Sequence, residues 1–547
     1  MHTKNKIMSR KSALFAAIAF ATSAGLTSNQ AQAASEDFFA NWELGGYVRQ
    51  HVSINLENPT LIGPDFQQRD DYKYDVSMAR TTLKLDLYKD FGNYRVKITG
   101  RAAQEIETSY LEDLQQVSDE WAQTGGAPGS PINLMDDSYN DIELREFWIE
   151  GALTDTLDFK IGRQQVVWGE TDFFALLDVV HGYDYRWRSF LEPENEELRK
   201  PLNMVNLVQR FDDVDGSLQV LYIPGKLNDV DDRGNSYDVE GGRWANNPNK
   251  GIAFAGAPFG ANVKYNRTHP EANLEDDSFG LRWSGIAGDW GYSLGYFRGP
   301  STDPVANANP ATNPGQPELQ TGPYGGVYEG GPSEAGEFIF PTVDVLGFTA
   351  NNYFAGIDAV FSTEIAYIID SPMNVGRESI AEGPGCGFFP GFCGIEERDV
   401  VATMFRLDKQ VDLGNVIGTS RPSFLSVQLF DKWIMDYDHA DQLVNLAGFG
   451  ADRNEHNTII TGILAMNYNN DKINPTLAVG TDLTNGGGFI IPSVELVYGD
   501  HWRLRIEADI FFDSNNQELP LTGFNDTNLF GYFAGNDQFV ARLTYQF

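Results

Sequence analysis

Seven histidines lie along the 547-residue chain, and beyond His2 they are scattered at His51, His181, His269, His439, His456 and His501. None falls in an HExxH pair, and there is no GxSxG elbow or phosphate-binding glycine loop. Ser493 and His501 are close enough in sequence to meet on neighbouring strands, as acyl transfer would need, but no third group points to them. The chain is therefore not expected to be an enzyme, and no cofactor or metal is expected. Its other polar chemistry is charge. Arg80, Lys84, Arg95, Lys97, Arg101, Arg282, Arg406, Arg503 and Arg505 alternate with apolar neighbours, as do Glu364, Asp408, Glu495 and Glu507. Charges of both signs on one face of a strand suit a wet lumen, where they pair across strands or set a field along a pore.

A face needs strands to carry it. Trp502, Leu504, Ile506, Ala508, Ile510 and Phe512 oppose Arg503, Arg505, Glu507 and Asp509; Leu83, Leu85 and Leu87 oppose Lys84 and Asp86. Phe539, Ala541, Leu543, Tyr545 and Phe547 repeat the pattern at the very end of the chain. An alternating strand ending in Phe resembles the recognition signal that outer-membrane assembly machinery reads. Short links near residues 90–92, 153–155, 212–215, 288, 354–355, 412–418, 470–472 and 500 alternate with long ones. Such alternation predicts an all-β transmembrane antiparallel β-barrel with short periplasmic turns and longer outside loops. The count is about eighteen strands, or sixteen if two weak segments, such as those near 342–353 and 473–482, are not strands.

No internal stretch offers the ~18 consecutive apolar residues of a membrane helix. Lys4, Lys6, Arg10 and Lys11 precede an apolar run, and Ala31-Gln32-Ala33 fits a cleavage site, so residues 1–33 read as a signal peptide and 34–547 as the barrel. Loss of those four basic groups takes the formal charge from −37 to −41, which excludes nucleic acid as a partner and suits an outer-membrane address surrounded by lipid. Cys386 and Cys393 close CGFFPGFC in a long loop and are expected to form a small disulfide.

The third of nine outer loops is the exception to a polar exterior. Residues 162–204 read GRQQVVWGETDFFALLDVVHGYDYRWRSFLEPENEELRKPLNM. Exposed to solvent, so much apolar surface would be a liability. Folded into the lumen it is a plug or constriction, built from Arg163, Trp168, Glu170, Phe173, Phe174, Leu177, Tyr185, Trp187 and Phe190. Residues 172–180 are expected to make one or two helical turns, with Thr171 or Asp172 as cap. Arg163 breaks parity, since it shares a face with the outward Phe159 and Ile161. Arg163 and Glu170 are expected to clamp the insert.

GRQQVVWGETDFF followed by FLEPENEELRKPLNMV resembles the signature of an uncharacterised family of proteobacterial outer-membrane barrels. The resemblance rests on Gly162, Arg163, Gln164, Trp168, Gly169, Glu170, Thr171, Arg199, Pro201 and Leu202. It departs at Asn203-Met204, where some relatives carry an aromatic residue. It implies movement of hydrophobic or lipid-like molecules across the envelope, with a periplasmic or lipoprotein partner and an RND-type inner-membrane transporter. The alternatives are a general or charge-selective diffusion porin and an outer-membrane lipid-modifying enzyme.

Overall fold

The computed structural model describes residues 42–59, 61, 65, 67–124, 133–171, 174, 176–186, 195–236, 262–309, 334–376, 391, 393–445, 451–517 and 526–547. Its wall is one antiparallel sheet closed on itself. The strands are β1 (Glu43–Asn55), β2 (Val76–Phe91), β3 (Tyr94–Glu105), β4 (Asp141–Ala152), β5 (Leu157–Gln164) and β6 (Leu202–Phe211). Next come β7 (Gly216–Ile223), β8 (Ser278–Ala287), β9 (Trp290–Pro300), β10 (Thr342–Phe354), β11 (Ala359–Val375) and β12 (Gly394–Val411). The wall ends with β13 (Ser423–Ile434), β14 (His456–Ala465), β15 (Ile473–Asp482), β16 (Gly488–Tyr498), β17 (Trp502–Phe512) and β18 (Gln538–Gln546). Each strand pairs with its sequence neighbours, and β18 returns to β1 with Val52 opposite Ala541. Closure leaves no unpaired edge, which is what lets a sheet cross hydrocarbon. A further two-residue strand, Leu443–Val444, pairs with the outer end of β11 and lies outside this ring. The wall count is eighteen, so the segments near 342–353 and 473–482 are both strands.

Outward residues are the exposed apolar ones: Leu44, Phe147, Ile149, Leu281, Leu294, Leu346, Phe405, Leu407, Val427, Leu429, Leu477 and Leu543. At the short-turn end, aromatic rings sit side by side. Tyr94 lies 6.1 Å from Phe159, Trp290 5.9 Å from Phe354, and Trp502 4.9 Å from Tyr545. Such a belt belongs where lipid meets water.

The inner face divides into two kinds of surface. On β1 to β4 and β17 to β18 it is charged, with Arg80, Arg101, Arg145, Glu507 and Arg542 all buried. On β7 to β10 and β13 to β17 it carries buried Leu221, Phe297, Val345, Phe430, Ile459, Phe489 and Phe511. There, both faces of the strands are apolar, as a wall covered on both sides must be. Among the described residues, the second, third and ninth outer loops supply much of the inner cover. An amphipathic helix, α1 (Ser109–Thr124), buries Tyr110, Leu111, Leu114 and Val117 against Leu61, Tyr72, Met78 and Tyr183. The ninth outer loop sends the turn α3 (Leu529–Tyr532) inward, where Phe530 packs on Phe489 at 5.0 Å. Between them lies the third loop. Its helix, α2 (Asn195–Leu198), falls near the loop's exit. Residues 174, 176, 177 and 180 are bends and 178–179 have no regular structure, so the helical turns expected over 172–180 are not seen among the described residues.

Candidate functional site

The third loop begins where β5 turns off the wall. Gly162 has φ +125°, and a Cβ there would lie 2.2 Å from the Phe147 carbonyl oxygen, so that position of the motif admits only glycine. Gln164 is fully buried and donates its amide to the Met204 carbonyl at 3.2 Å. The Val166 N–H donates to His181 Nε2 at 2.9 Å, and His181 Nδ1 donates to the Lys200 carbonyl at 2.9 Å. One imidazole thus ties the loop's entry to its exit. Burial pushes the ring's pKa down to about 4. Both nitrogens are occupied in the neutral form, so a second proton would cost the Val166 hydrogen bond.

From this pin the chain lies along the apolar part of the wall. Trp168 donates Nε1 to Gln219 at 2.9 Å and meets Phe297 edge-on at 6.1 Å. Its ring rests on Gly280 of β8, where a Cβ would approach to 2.9 Å; Leu177 rests on Gly347 of β10, where a Cβ would approach to 2.8 Å. The wall is thinned where the loop is thickest. Gly280→Val would force the rigid indole away. Overpacking of this kind costs roughly 1–3 kcal/mol, so the unseated loop is expected to become on the order of tenfold more populated. Single-channel recording reads this as longer open time, with heat-modifiable migration on gels showing that the barrel itself still forms.

Polar clamps fix the next turn. Glu364 of β11 is fully buried; one oxygen accepts the Glu170 N–H and the other the Leu177 N–H at 3.3 Å. Arg406 of β12 donates to the Glu170 carbonyl at 2.9 Å, and Arg282 of β8 to the Val167 carbonyl at 3.4 Å. The wall charges here hold main chain. Beyond Glu170 the loop continues past β12 to β13, where Phe174 stands edge-on to Phe430 at 5.1 Å and lies 5.9 Å from Phe530 of the ninth loop. Leu176 packs into both apolar clusters. The loop therefore lines the inner face from β7 to β13 with apolar contacts, its two clusters meeting at β12 through Ala402 and Met404.

The exit segment lands on the basic wall. Glu197 is paired with Arg101 at 3.5 Å and receives the Tyr47 hydroxyl; Glu196 is paired with Lys84 at 2.7 Å. Arg145 donates to the Arg199 carbonyl at 2.7 Å. Arg199 in turn is buried against Asp178, with Nε 3.1 Å from Oδ2, and the Tyr183 hydroxyl donates to the same oxygen at 2.5 Å. Burial and the Asp178 charge push the Tyr183 phenol well above its usual range. Lys200 donates to the Asp231 and Gly234 carbonyls, each at 2.8 Å. The acidic-then-basic run EELRKP is thus one continuous set of anchors.

The remaining residues singled out from the sequence are distributed as follows. Arg80 faces Glu105 at 3.8 Å, Lys97 pairs with Glu146, and Glu507 joins Arg505 at 2.8 Å to Arg542 at 3.0 Å. Glu495 lies opposite Arg505 in register. Arg95 and Arg503 lie at the short-turn end, Arg95 paired with Asp90 at 2.8 Å and Arg503 bonded to the Trp502 carbonyl at 3.0 Å, far along the strand from the loop. Arg163 does not clamp the insert. It donates to the Leu144 carbonyl at 2.8 Å and pairs with Asp232 of the fourth outer loop at 2.9 Å. Its register with the outward Phe147 explains its broken parity: it is a rim residue above the apolar band. The Glu170 contact is made mainly by its peptide groups. Tyr185 stacks on Tyr183 at 5.7 Å beside the α1 cluster rather than over the bore. Ser493 donates to the Thr476 carbonyl and His501 to the Gln546 carbonyl, so the two are engaged separately. Phe173, Trp187, Phe190 and Cys386 lie outside the described residues; Cys393 is buried. Sequence reasoning missed His181, Asp178 and Lys200, which carry no motif, and α1, whose spacing Tyr110, Leu111, Leu114, Val117 was a legible helical stripe.

Comparison with solved structures gives Acinetobacter baumannii OccAB2 at 10% identity, covering 93% of this chain and 98% of that one, with a TM-score of 0.44. Pseudomonas aeruginosa OpdK with vanillate is 8% identical over 93% and 98%, with a TM-score of 0.42. Salmonella typhi OmpF in complex with daunomycin is 9% identical over 92% and 97%, with a TM-score of 0.39. No curated protein matches the chain in sequence. Residues 14–547 match the model of the family described as "Protein of unknown function (DUF1302)", and the chain belongs to that family.

Proposed function

We propose that this barrel is an outer-membrane channel for hydrophobic or amphipathic molecules, held closed by its third outer loop. The observation that carries this reading is the continuous apolar seat: Trp168 and Leu177 rest on β8 and β10, and Phe174 reaches Phe430 of β13 and Phe530 of the ninth loop. A bore meant only for small ions gains nothing from an apolar inner face of this extent. A cargo that exchanges its own apolar surface for the loop's keeps that face covered throughout passage. Transfer onward to a periplasmic or lipoprotein partner and an RND-type transporter belongs to the same proposal.

Deleting residues 172–191 is the test. Planar-bilayer recordings are expected to change from a closed or flickering trace to a large steady conductance, with faster uptake of an apolar fluorescent dye by cells. A large, ohmic wild-type pore that the deletion leaves unaltered would overturn the proposal in favour of a diffusion porin.

A further inference from the structure

Beneath the loop's entry and exit lies a cavity of about 130 Å³, lined by Lys84, Lys97, Thr99, Arg145, Glu146, Gln165, Val167, Glu196 and Arg199. We infer that it is a subsite for the carboxylate head of an amphipathic cargo, and that Glu196 of the loop occupies it until cargo arrives. The inference rests on the channel reading above and adds a substrate class to it.

The two acidic residues of the exit turn are held very differently. Glu197 is buried, with a side chain 7% exposed, against Arg101 at 5%, and receives the Tyr47 hydroxyl as well. Glu196 is 61% exposed, and its partner Lys84 is 13% exposed. Breaking the first pair strands a buried charge, whereas a pair whose carboxylate is exposed is held far less firmly. Glu196 is therefore a carboxylate already seated on Lys84 yet weakly retained. Its own main chain is fixed separately, because Arg145 holds its carbonyl at 2.5 Å. The side chain can leave without unfolding the turn.

The surroundings suit an exchange of one carboxylate for another. Lys84 and Lys97 come from adjacent strands, and Lys97 is balanced by Glu146, whose other oxygen accepts the Gln165 N–H at 3.4 Å. A volume of about 130 Å³ takes a carboxylate and a few waters, at ~30 Å³ for each water. A long tail does not fit and must lie outside. Val167, at 51% exposed, offers an apolar contact at the cavity's edge, beside the Trp168 seat. A carboxylate bound at Lys84 thus places its tail against the closing loop.

The experiment compares decanoate and decanol, matched in chain length, by titration calorimetry on the full chain in nanodiscs, with empty nanodiscs subtracted. Decanoate is expected to bind at least fivefold more tightly than decanol. Lys84→Gln should weaken decanoate at least fivefold, while Glu196→Gln should strengthen it several-fold by removing the internal competitor. A merely structural ion pair would make both variants weaken binding or leave it unchanged, and either result overturns the inference. Equal affinity for decanol also overturns it. Acetate competing at the same concentration as decanoate would overturn the amphipathic part, because the head alone would then suffice. If insert deletion opens the pore but decanoate does not bind, this inference fails alone. If decanoate binds as expected but conductance ignores the deletion, the channel reading fails and the subsite stands.

Discussion

Arg199→Met is expected to leave the barrel formed but its lumen open for much of the time. The Arg199 side chain joins the loop's entry at Gln165 to its middle at Asp178, while the Arg199 carbonyl rests on Arg145 of the wall. All of the pairing made by Asp178 is on Oδ2, so loss of the guanidinium strands a buried carboxylate. Removing one partner of a buried pair typically costs 3–5 kcal/mol. Applied to a loop rather than to the wall, that is on the order of a hundredfold or more in the ratio of open to closed channel. Single-channel open probability and sensitivity of cells to bulky apolar antibiotics measure it. Asp178→Asn combined with Arg199→Met should recover part of the closure, since it removes the stranded charge. An Arg199→Met channel as closed as wild type would show that the apolar contacts alone seat the loop.

Acid is expected to loosen the same loop through a different residue. His181 carries a pKa of about 4 when seated, against an ordinary 6.5. Above pH 6.5 the ring is neutral whether the loop is seated or released, and seating keeps its full strength. Between pH 6.5 and 4 the released imidazole takes up a proton that the buried one refuses. Seating then weakens by about 1.4 kcal/mol per pH unit, on the order of 3 kcal/mol in all, and changes no further below pH 4. Open probability should rise steadily as pH falls through this window. His181→Gln should show weaker closure at neutral pH and a flat response across the window. A wild-type channel equally closed at pH 7.5 and 4.5 would remove His181 from the closing device.

The wall of this barrel was legible in the sequence because alternation has one cause there: lipid outside, water inside. Most of the strands and both kinds of connection follow from it, down to the terminal Phe547 beside Gly46. Alternation fails where the inner face is also dry. On β7 to β9, Leu221 points in and Tyr222 out, Phe297 in and Phe279 out, so apolar residues occupy both parities and the pattern carries no direction. The insert was legible as an apolar excess in the wrong place, but its contacts were not. A buried His in a neutral loop and a glycine under an indole have no spacing rule to announce them. Arg163 was misplaced for a related reason: near a strand end, facing outward no longer means facing lipid.

The glycines under Trp168 and Leu177 have a consequence for the shape of any passage. A wall of larger side chains can relax inward when a neighbour departs, so the space left behind is soft and variable. Gly280 and Gly347 have nothing to swing in. When the loop lifts, the floor of the vacated groove is strand backbone, fixed by its ladder of hydrogen bonds to β7, β9 and β11. Under these two seats the aperture is expected to be set by main chain, while Gln219 and Phe297 beside them keep rotamers of their own. If the channel reading holds, flat, rigid ring systems are expected to fill such a groove at lower entropic cost than branched or flexible chains of equal bulk.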